Sequence, residues 1–159
     1  MTAVQEIARR LKARGGMIVT AESCTGGWVA QELTAIAGSS AWFDRGFVTY
    51  SNEAKQEMLG VRAETLEKYG AVSEETAREM AQGALDRSRG TVALAITGIA
   101  GPTGGTAQKP VGTVCFGWAT KGQPPRAETK HFPGDREAVR RQSVDYSLAG
   151  VLRLLDEAR

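Results

Sequence analysis

The stretch TVALAIT, residues 91–97, decides the fold, because its apolar residues occupy consecutive positions rather than alternate ones. A strand of this kind is apolar on both faces and belongs inside a sheet that is covered on both sides. The glycine-rich segment TGIAGPTGG begins at its last residue, Thr97. The stretch therefore predicts a central buried strand that opens into a glycine-rich loop.

Outward from this strand, helical and strand patterns alternate along the whole chain. Apolar positions three and four residues apart predict helices, and short apolar or alternating runs predict strands. The predicted helices, counted with their serine caps, cover residues 3–14, 26–36, 51–59, 63–69, 73–85 and about 135–157. The predicted strands cover residues 17–21, 43–50, 91–97, 111–120 and 126–132.

This alternation predicts an α/β protein built as a three-layer α/β/α sandwich. The sheet is expected to have about five strands, most of them parallel. The short turn KGQPP joins the last two strands, so these two should pair antiparallel and give one antiparallel edge strand. A chain of 159 residues is long enough for one hydrophobic core, and we expect a single domain over residues 1–159.

Composition excludes several functional classes. The net charge of +2 comes from 20 basic and 18 acidic residues spread along the chain, which indicates neither a nucleic-acid partner nor a membrane partner. Two cysteines, Cys24 and Cys115, are typical of a reducing cytoplasm rather than of a disulfide framework. With one histidine besides, they do not indicate a zinc site. A homo-oligomer, a dimer or larger, stays an open alternative.

Three polar segments follow predicted parallel strands, where open α/β sheets bind their ligands. They are ESCTGG (residues 22–27), YSNEAK (residues 50–55) and TGIAGPTGG (residues 97–105). Because the carboxyl ends of parallel strands meet at one edge of the sheet, these segments should lie together. The sequence therefore places a candidate site at that edge.

The first segment offers a nucleophile. Ser23 and Cys24 lie at a strand-to-helix turn, Thr25 follows, and Gly26 and Gly27 allow a ligand to approach the backbone, whose free N–H groups favour an anion. The alternative is a Ser/Thr helix cap with packing glycines. The pattern GxxxxGK[ST] is absent, so the segment does not indicate a P-loop.

The second segment offers a base. Lys55 lies in the first turns of a predicted helix, whose positive end and partial burial would disfavour the ammonium and lower the lysine pKa. A neutral lysine can take a serine proton, and Tyr50 would relay that proton or hold the lysine. A solvated lysine is the alternative. The single histidine, His131, is expected in an edge strand that runs the wrong way for the site, so a Ser-His-Asp triad is not indicated.

The third segment suits a phosphate or a planar ligand pressed against the backbone, and a long disordered turn is the alternative. A nearby lysine and arginine are weaker candidates for a phosphate. The candidate substrate contacts in this part of the chain are Thr97, Gly98, Gly101, Gly104, Gly105, Lys109 and Arg136.

Six segments together carry a resemblance that none carries alone. In chain order they are TAESCTGG, FVTYSNEAK, GAVSEETAREMA, AITGIAGPTGG, KPVGTV and FPGDREAVR. This pattern resembles the CinA C-terminal domain family over about residues 3–155, with no departure at the positions that matter. The family's molybdopterin-binding-like N-terminal domain has no counterpart here, so the chain resembles the stand-alone members, which include nicotinamide-nucleotide amidases.

The resemblance implies hydrolysis of the carboxamide of nicotinamide mononucleotide to nicotinate mononucleotide and ammonia, without metal or cofactor. It also implies a serine–lysine site with a nearby tyrosine, which in this chain are Ser23, Lys55 and Tyr50. Two alternatives stay open. One is a cysteine hydrolase that uses Cys24, and the other is a non-catalytic nucleotide-binding module.

Overall fold

Five strands form one mixed sheet in the computed structural model, which describes residues 1–157. In the order β2-β1-β3-β4-β5, β1 pairs parallel with β2 and β3, while β4 pairs antiparallel with β3 and β5. The expectation of about five mostly parallel strands is confirmed. The strands are β1 Ile18–Glu22, β2 Phe43–Val48, β3 Val92–Gly98, β4 Thr113–Thr120 and β5 Arg126–His131.

Helices cover both faces of this sheet, which confirms the three layers. One face packs against α1, α2 and α6, and the other against α3, α4 and α5. The helices are α1 Ala3–Arg14, α2 Trp28–Thr34, α3 Asn52–Leu59, α4 Ala63–Tyr69, α5 Glu74–Asp86 and α6 Arg136–Glu157. No helix within residues 1–157 combines the length and the apolar character that a membrane span requires.

Strand β3 explains why two helical layers form. Val92, Leu94 and Ile96 belong to the core beneath α1, α2 and α6. Ala93 and Ala95 belong to the second core, beneath α3, α4 and α5. All five side chains are buried, so this strand is in the sheet interior, as its uninterrupted apolar run predicts.

The strand directions correct the expectation for His131. The edge strand β5 pairs antiparallel with its neighbour, as the short turn predicts, but the strand that opposes the others is β4. Because β4 is antiparallel to both β3 and β5, β5 runs in the same direction as β1 and β3. His131, at the end of β5, therefore lies at the same edge of the sheet as Glu22. Three strand spacings, about 14 Å, still separate β5 from β1, so His131 is too distant to serve Ser23.

Several boundaries differ from the sequence expectation, two of them because glycines delay the start of an element. The helix expected from residue 26 begins at Trp28, since Gly26 and Gly27 have φ of 60° and 106°, values that L residues avoid in a helix. Strand β2 ends at Val48 rather than residue 50, and β4 begins after Gly112. A short 3₁₀ helix, Ser39–Ala41, was not expected.

Candidate functional site

Ser23 and Lys55 meet at the carboxyl edge of the sheet. Ser23 directly follows β1, and Lys55 lies in the first turns of α3, whose N-cap is Ser51. The Nζ of Lys55 is 3.1 Å from the Oγ of Ser23. Both side chains are buried, with only 1% of Lys55 exposed. The structure therefore joins the two polar segments that the sequence placed at this edge.

Two backbone carbonyls hold the amine of Lys55. The carbonyl oxygens of Thr49 and Tyr50 each lie 3.0 Å from Nζ. No carboxylate is among the hydrogen-bond partners of Nζ within residues 1–157. Burial lowers the pKa of Lys55 below its ordinary value, because the ammonium loses water without gaining a counter-ion. The site thus favours a neutral amine more than an exposed lysine would.

The hydroxyl of Ser23 has two acceptors, one for each charge state of Lys55. When Lys55 is an ammonium, it donates to Ser23, Thr49 and Tyr50, and the Ser23 hydroxyl turns to the Tyr50 carbonyl, 3.3 Å away. When Lys55 is neutral, its two hydrogens serve the carbonyls and its lone pair faces Ser23. Loss of one proton therefore converts Lys55 from a donor to an acceptor for Ser23.

The turn that carries Ser23 is anchored by Glu22, a role that the sequence analysis missed. The buried Glu22 carboxylate accepts hydrogen bonds from the Thr25 hydroxyl at 2.7 Å, from Val29 N at 2.9 Å and from Ala30 N at 3.1 Å. The carboxylate thus takes the place of an N-cap for α2. Its only sequence signal is an acidic residue at the end of an otherwise apolar strand.

The backbone N–H groups of Cys24 and Thr25, directly after the nucleophile, have no hydrogen-bond acceptor among residues 1–157, in contrast to two of the N–H groups that follow in the turn. The Gly26 amide donates to the carbonyl of Ser23, and the Trp28 amide to that of Thr25. The amides of Cys24 and Thr25 have no such bond in this part of the chain. Free N–H groups next to a nucleophile can stabilise a developing oxyanion.

Cys24 is poorly suited to be a nucleophile. Its side chain is only 6% exposed, and burial raises the pKa of the thiol to about 12. The nearby Arg140 guanidinium opposes this shift but does not cancel it. A thiolate at neutral pH is therefore strongly disfavoured, and the geometry favours Ser23 over Cys24.

Tyr50 accepts a hydrogen bond from Lys55 through its main-chain carbonyl, while its side chain has a different partner. The ring is 59% exposed, and its hydroxyl accepts a hydrogen bond from Nη2 of Arg136 at 3.2 Å. Nη1 of the same guanidinium donates to the carbonyl of Gly101 at 2.7 Å. Arg136 thus joins the segment after β2 to the glycine-rich loop.

Packing accounts for several loop glycines without a ligand. A Cβ on Gly105 would lie 2.6 Å from the amide nitrogen of Val111, and one on Gly98 would lie 2.8 Å from the side chain of Val114. A Cβ on Gly101 would also collide with Val111. Gly104 has a positive φ of 96° and is exposed. Gly98, Gly101 and Gly105 therefore let the loop pack closely against Val111 and Val114.

Lys109 and Thr97 bond to the connection between α4 and α5. Lys109 Nζ donates to the carbonyl of Tyr69 at 2.7 Å, and the Thr97 hydroxyl donates to that of Ala71 at 2.7 Å. Lys109 borders a cavity of about 590 Å³ that is also lined by Cys115 and His131. Ser23 and Lys55 do not line this cavity.

The helix N-termini at this edge already have side-chain caps. Ser51 caps α3 through Ala54 N at 3.0 Å, and Ser73 caps α5 through Thr76 N at 3.1 Å. Asp135 accepts from Ala138 N at 2.9 Å at the start of α6. Because these caps compete with an anion for first-turn amides, they favour the exposed Arg136 guanidinium as a phosphate partner. Within residues 1–157, no cluster of three or more His, Cys, Asp or Glu side chains is placed to hold a metal.

The lowered pKa of Lys55 predicts a stability difference that depends on pH. Between the folded pKa and the unfolded pKa near 10.4, the unfolded chain binds more protons, so the free energy of unfolding rises with pH there. Below the folded pKa both states carry the ammonium, so Lys55 no longer makes the free energy of unfolding change with pH. We expect the unfolding free energy of wild type minus that of Lys55→Met to increase as the pH rises from the lowered folded pKa of Lys55 toward the unfolded pKa. Urea unfolding of both proteins measures it, and a constant difference would contradict the lowered pKa.

Comparisons with known proteins identify the family of the chain. The family model described as the CinA C-terminal domain matches residues 1–155. The chain is 58% identical over 144 residues to nicotinamide-nucleotide amidohydrolase PncC of Escherichia coli, covering 91% of this chain and 87% of that protein. It is 57% identical over 148 residues to the protein of the same name from Enterobacter agglomerans, covering 93% and 90%.

A solved structure shows the same fold. The crystal structure of competence damage-inducible protein A from Klebsiella pneumoniae superposes with a TM-score of 0.94 at 44% identity, covering 99% of this chain and 97% of that one. The six-segment resemblance is thereby confirmed over nearly the whole chain. The chain, an α/β/α sandwich, therefore belongs to the CinA C-terminal domain family.

Proposed function

We propose that the chain is an amidohydrolase that converts nicotinamide mononucleotide into nicotinate mononucleotide and ammonia through an acyl-enzyme on Ser23. The observation that carries the proposal is the buried pair of Lys55 and Ser23, with 3.1 Å between amine and hydroxyl. The substrate and the hydrolase class come from the names of relatives that are 57% and 58% identical. Both cysteines are free and buried, which supports a cytoplasmic site of action.

In the first half-reaction, neutral Lys55 accepts the proton of Ser23 while Oγ attacks the carboxamide carbon. The ammonium that forms keeps hydrogen bonds to the carbonyls of Thr49 and Tyr50. The amides of Cys24 and Thr25 receive the negative charge of the tetrahedral oxygen. Lys55 then passes its proton to the leaving nitrogen, the C–N bond breaks, and ammonia departs.

In the second half-reaction, water hydrolyses the ester on Ser23. Lys55, neutral again, takes a proton from the attacking water, and the same amides receive the new oxyanion. Collapse of this intermediate breaks the bond to Oγ, and Lys55 returns its proton to Ser23. Nicotinate mononucleotide leaves, and the enzyme regains its starting protonation.

Arg136 is the residue that we assign to the substrate phosphate. Its guanidinium is exposed and has bonds only to the Tyr50 hydroxyl and the Gly101 carbonyl among residues 1–157. An arginine can present further donors to a phosphate from this position. Lys109, the other basic candidate, is bonded to the end of α4 instead.

A phosphate subsite predicts strong discrimination between substrates. Two or three charge-assisted hydrogen bonds contribute roughly 1.5–3 kcal/mol each, and part of this positions the carboxamide against Ser23. We expect kcat/KM for nicotinamide mononucleotide to exceed that for nicotinamide riboside by at least about 100-fold, equivalent to about 2.7 kcal/mol. Arg136→Met should bring this ratio most of the way toward one. Equal kcat/KM values for the mononucleotide and the riboside in wild type would exclude the subsite.

Ammonia release from nicotinamide mononucleotide tests the proposal directly. A purified protein that binds the nucleotide but releases no ammonia would be the nucleotide-binding module. The assay follows ammonia together with nicotinate mononucleotide. It therefore also separates deamidation from cleavage of the glycosidic bond, which would release nicotinamide and no ammonia.

A further inference from the structure

Arg140 reaches from α6 to the turn that carries Ser23. Its Nε donates to the carbonyl of Cys24 at 3.0 Å, and its Nη2 donates to the carbonyl of Thr25 at 3.2 Å. The guanidinium also stacks on Trp28, with its central carbon 5.2 Å from the ring centre. One side chain from the last helix thus holds two successive peptide groups of the nucleophile turn.

The contact to Cys24 fixes a peptide group whose other end is free. In a trans peptide the carbonyl and the following N–H point in opposite directions. The Cys24 carbonyl belongs to the same peptide as the Thr25 amide, which lacks an acceptor among residues 1–157. Holding the carbonyl in place therefore fixes the direction of the Thr25 N–H. The positive guanidinium that is bonded to the carbonyl oxygen also polarises the peptide group and makes its N–H a stronger donor.

The charge of Arg140 acts on this turn. It lowers the pKa of the Cys24 thiol against the larger effect of burial. The residue that it affects lies directly after Ser23, where the oxyanion would form. Its hydrogen bonds and its charge therefore act on the same part of the turn.

We propose that Arg140 is a positioning residue that orients and polarises the Cys24–Thr25 peptide, so that the Thr25 amide receives the oxyanion of the acyl-transfer steps. The inference rests on the proposed amidase function. It assigns a catalytic purpose to a side chain that need not touch the substrate. The Ser23 carbonyl is held separately by the Gly26 amide, so the two peptides after Ser23 have different anchors.

Arg141 provides a matched control on the same helix. It also stacks on Trp28, at 4.5 Å, but its guanidinium bonds to Glu32 at 3.3 Å instead of to the nucleophile turn. Arg140→Met and Arg141→Met therefore lose the same charge and the same type of ring contact. Only the first loses the bonds to Cys24 and Thr25.

The kinetic test compares these variants with nicotinamide mononucleotide. We expect Arg140→Met to lower kcat by about 10- to 100-fold with KM changed less than about threefold, and Arg141→Met to stay within about twofold of wild type. Arg140→Lys, which keeps the charge and one donor group, should recover part of kcat. The pH at which activity rises should not move, because Lys55 is untouched. Equal kcat for the two methionine variants, or a loss confined to KM, would overturn the proposal.

A second measurement does not depend on turnover. The backbone amide resonances of Cys24 and Thr25 should shift and broaden in Arg140→Met and Arg140→Lys, but not in Arg141→Met. Unchanged resonances would overturn the positioning role, even if activity fell. If wild type releases no ammonia while the resonances respond as expected, the proposed function fails and the orientation of the turn by Arg140 stands.

Discussion

Ser23→Ala lowers kcat/KM for nicotinamide mononucleotide by at least about 1,000-fold, because the acyl-enzyme cannot form without the hydroxyl. The substitution removes one oxygen next to Lys55 and leaves both carbonyl partners of the amine in place. We therefore expect a native circular dichroism spectrum and cooperative unfolding. Ammonia release under saturating and subsaturating substrate gives the measurement.

Cys24→Ala is the partner experiment. The thiol is buried with a pKa raised to about 12, and its replacement leaves the backbone amide of residue 24 in position. This variant should keep activity within about tenfold of wild type, a loss far smaller than that of a missing nucleophile. The opposite ranking would transfer the nucleophile to Cys24, and two equally mild effects would favour the nucleotide-binding module.

Lys55→Arg lowers kcat by at least about 100-fold, the contribution expected of a general base. A guanidinium does not deprotonate in the working pH range, so it cannot accept the proton of Ser23. Lys12→Arg, the same change on an exposed helix position, should leave activity unaltered. Near-normal turnover by Lys55→Arg would exclude Lys55 as the base.

The pH profile gives the second signature of this role. Since the pKa of Lys55 is lowered by burial, wild-type kcat/KM should rise with pH through that pKa and then level off. The residual rate of Lys55→Arg should lack this rise. A wild-type profile that falls over the same range would indicate that the charged amine is the active form.

The fold was predictable because its signals are local and redundant. The uninterrupted run at Val92 to Ile96 indicates a strand covered on both faces, and the short turn before β5 indicates an antiparallel pair. The direction of β5 relative to β1 was not predictable from that turn. It depends on whether β4 pairs with β3 parallel or antiparallel, which the long loop between them leaves undetermined.

The candidate site was predictable to the level of residue types at strand ends. Ser23 and Lys55 follow two strands that become neighbours, so their meeting needs only a parallel sheet. Arg140 carries a weaker signal: it ends the segment FPGDREAVR, but it is 117 positions from Ser23, and nothing in that segment links it to the nucleophile turn. The roles of Thr49 and Tyr50 are also hidden, since a carbonyl oxygen is present whatever the side chain.

The use of main-chain carbonyls to hold Lys55 has a consequence for how this site tolerates mutation. Most side chains that replace Thr49 or Tyr50 leave the two acceptors of the amine in place. Losses at these positions in a saturation mutagenesis screen would therefore report the complete burial of Thr49 and the bond of Tyr50 to Arg136, and not the loss of a hydrogen-bond partner of Lys55. The changes expected to rotate the carbonyls themselves away from the amine are an inserted residue between 48 and 51, or a proline at Thr49, whose amide donates to the carbonyl of Glu22.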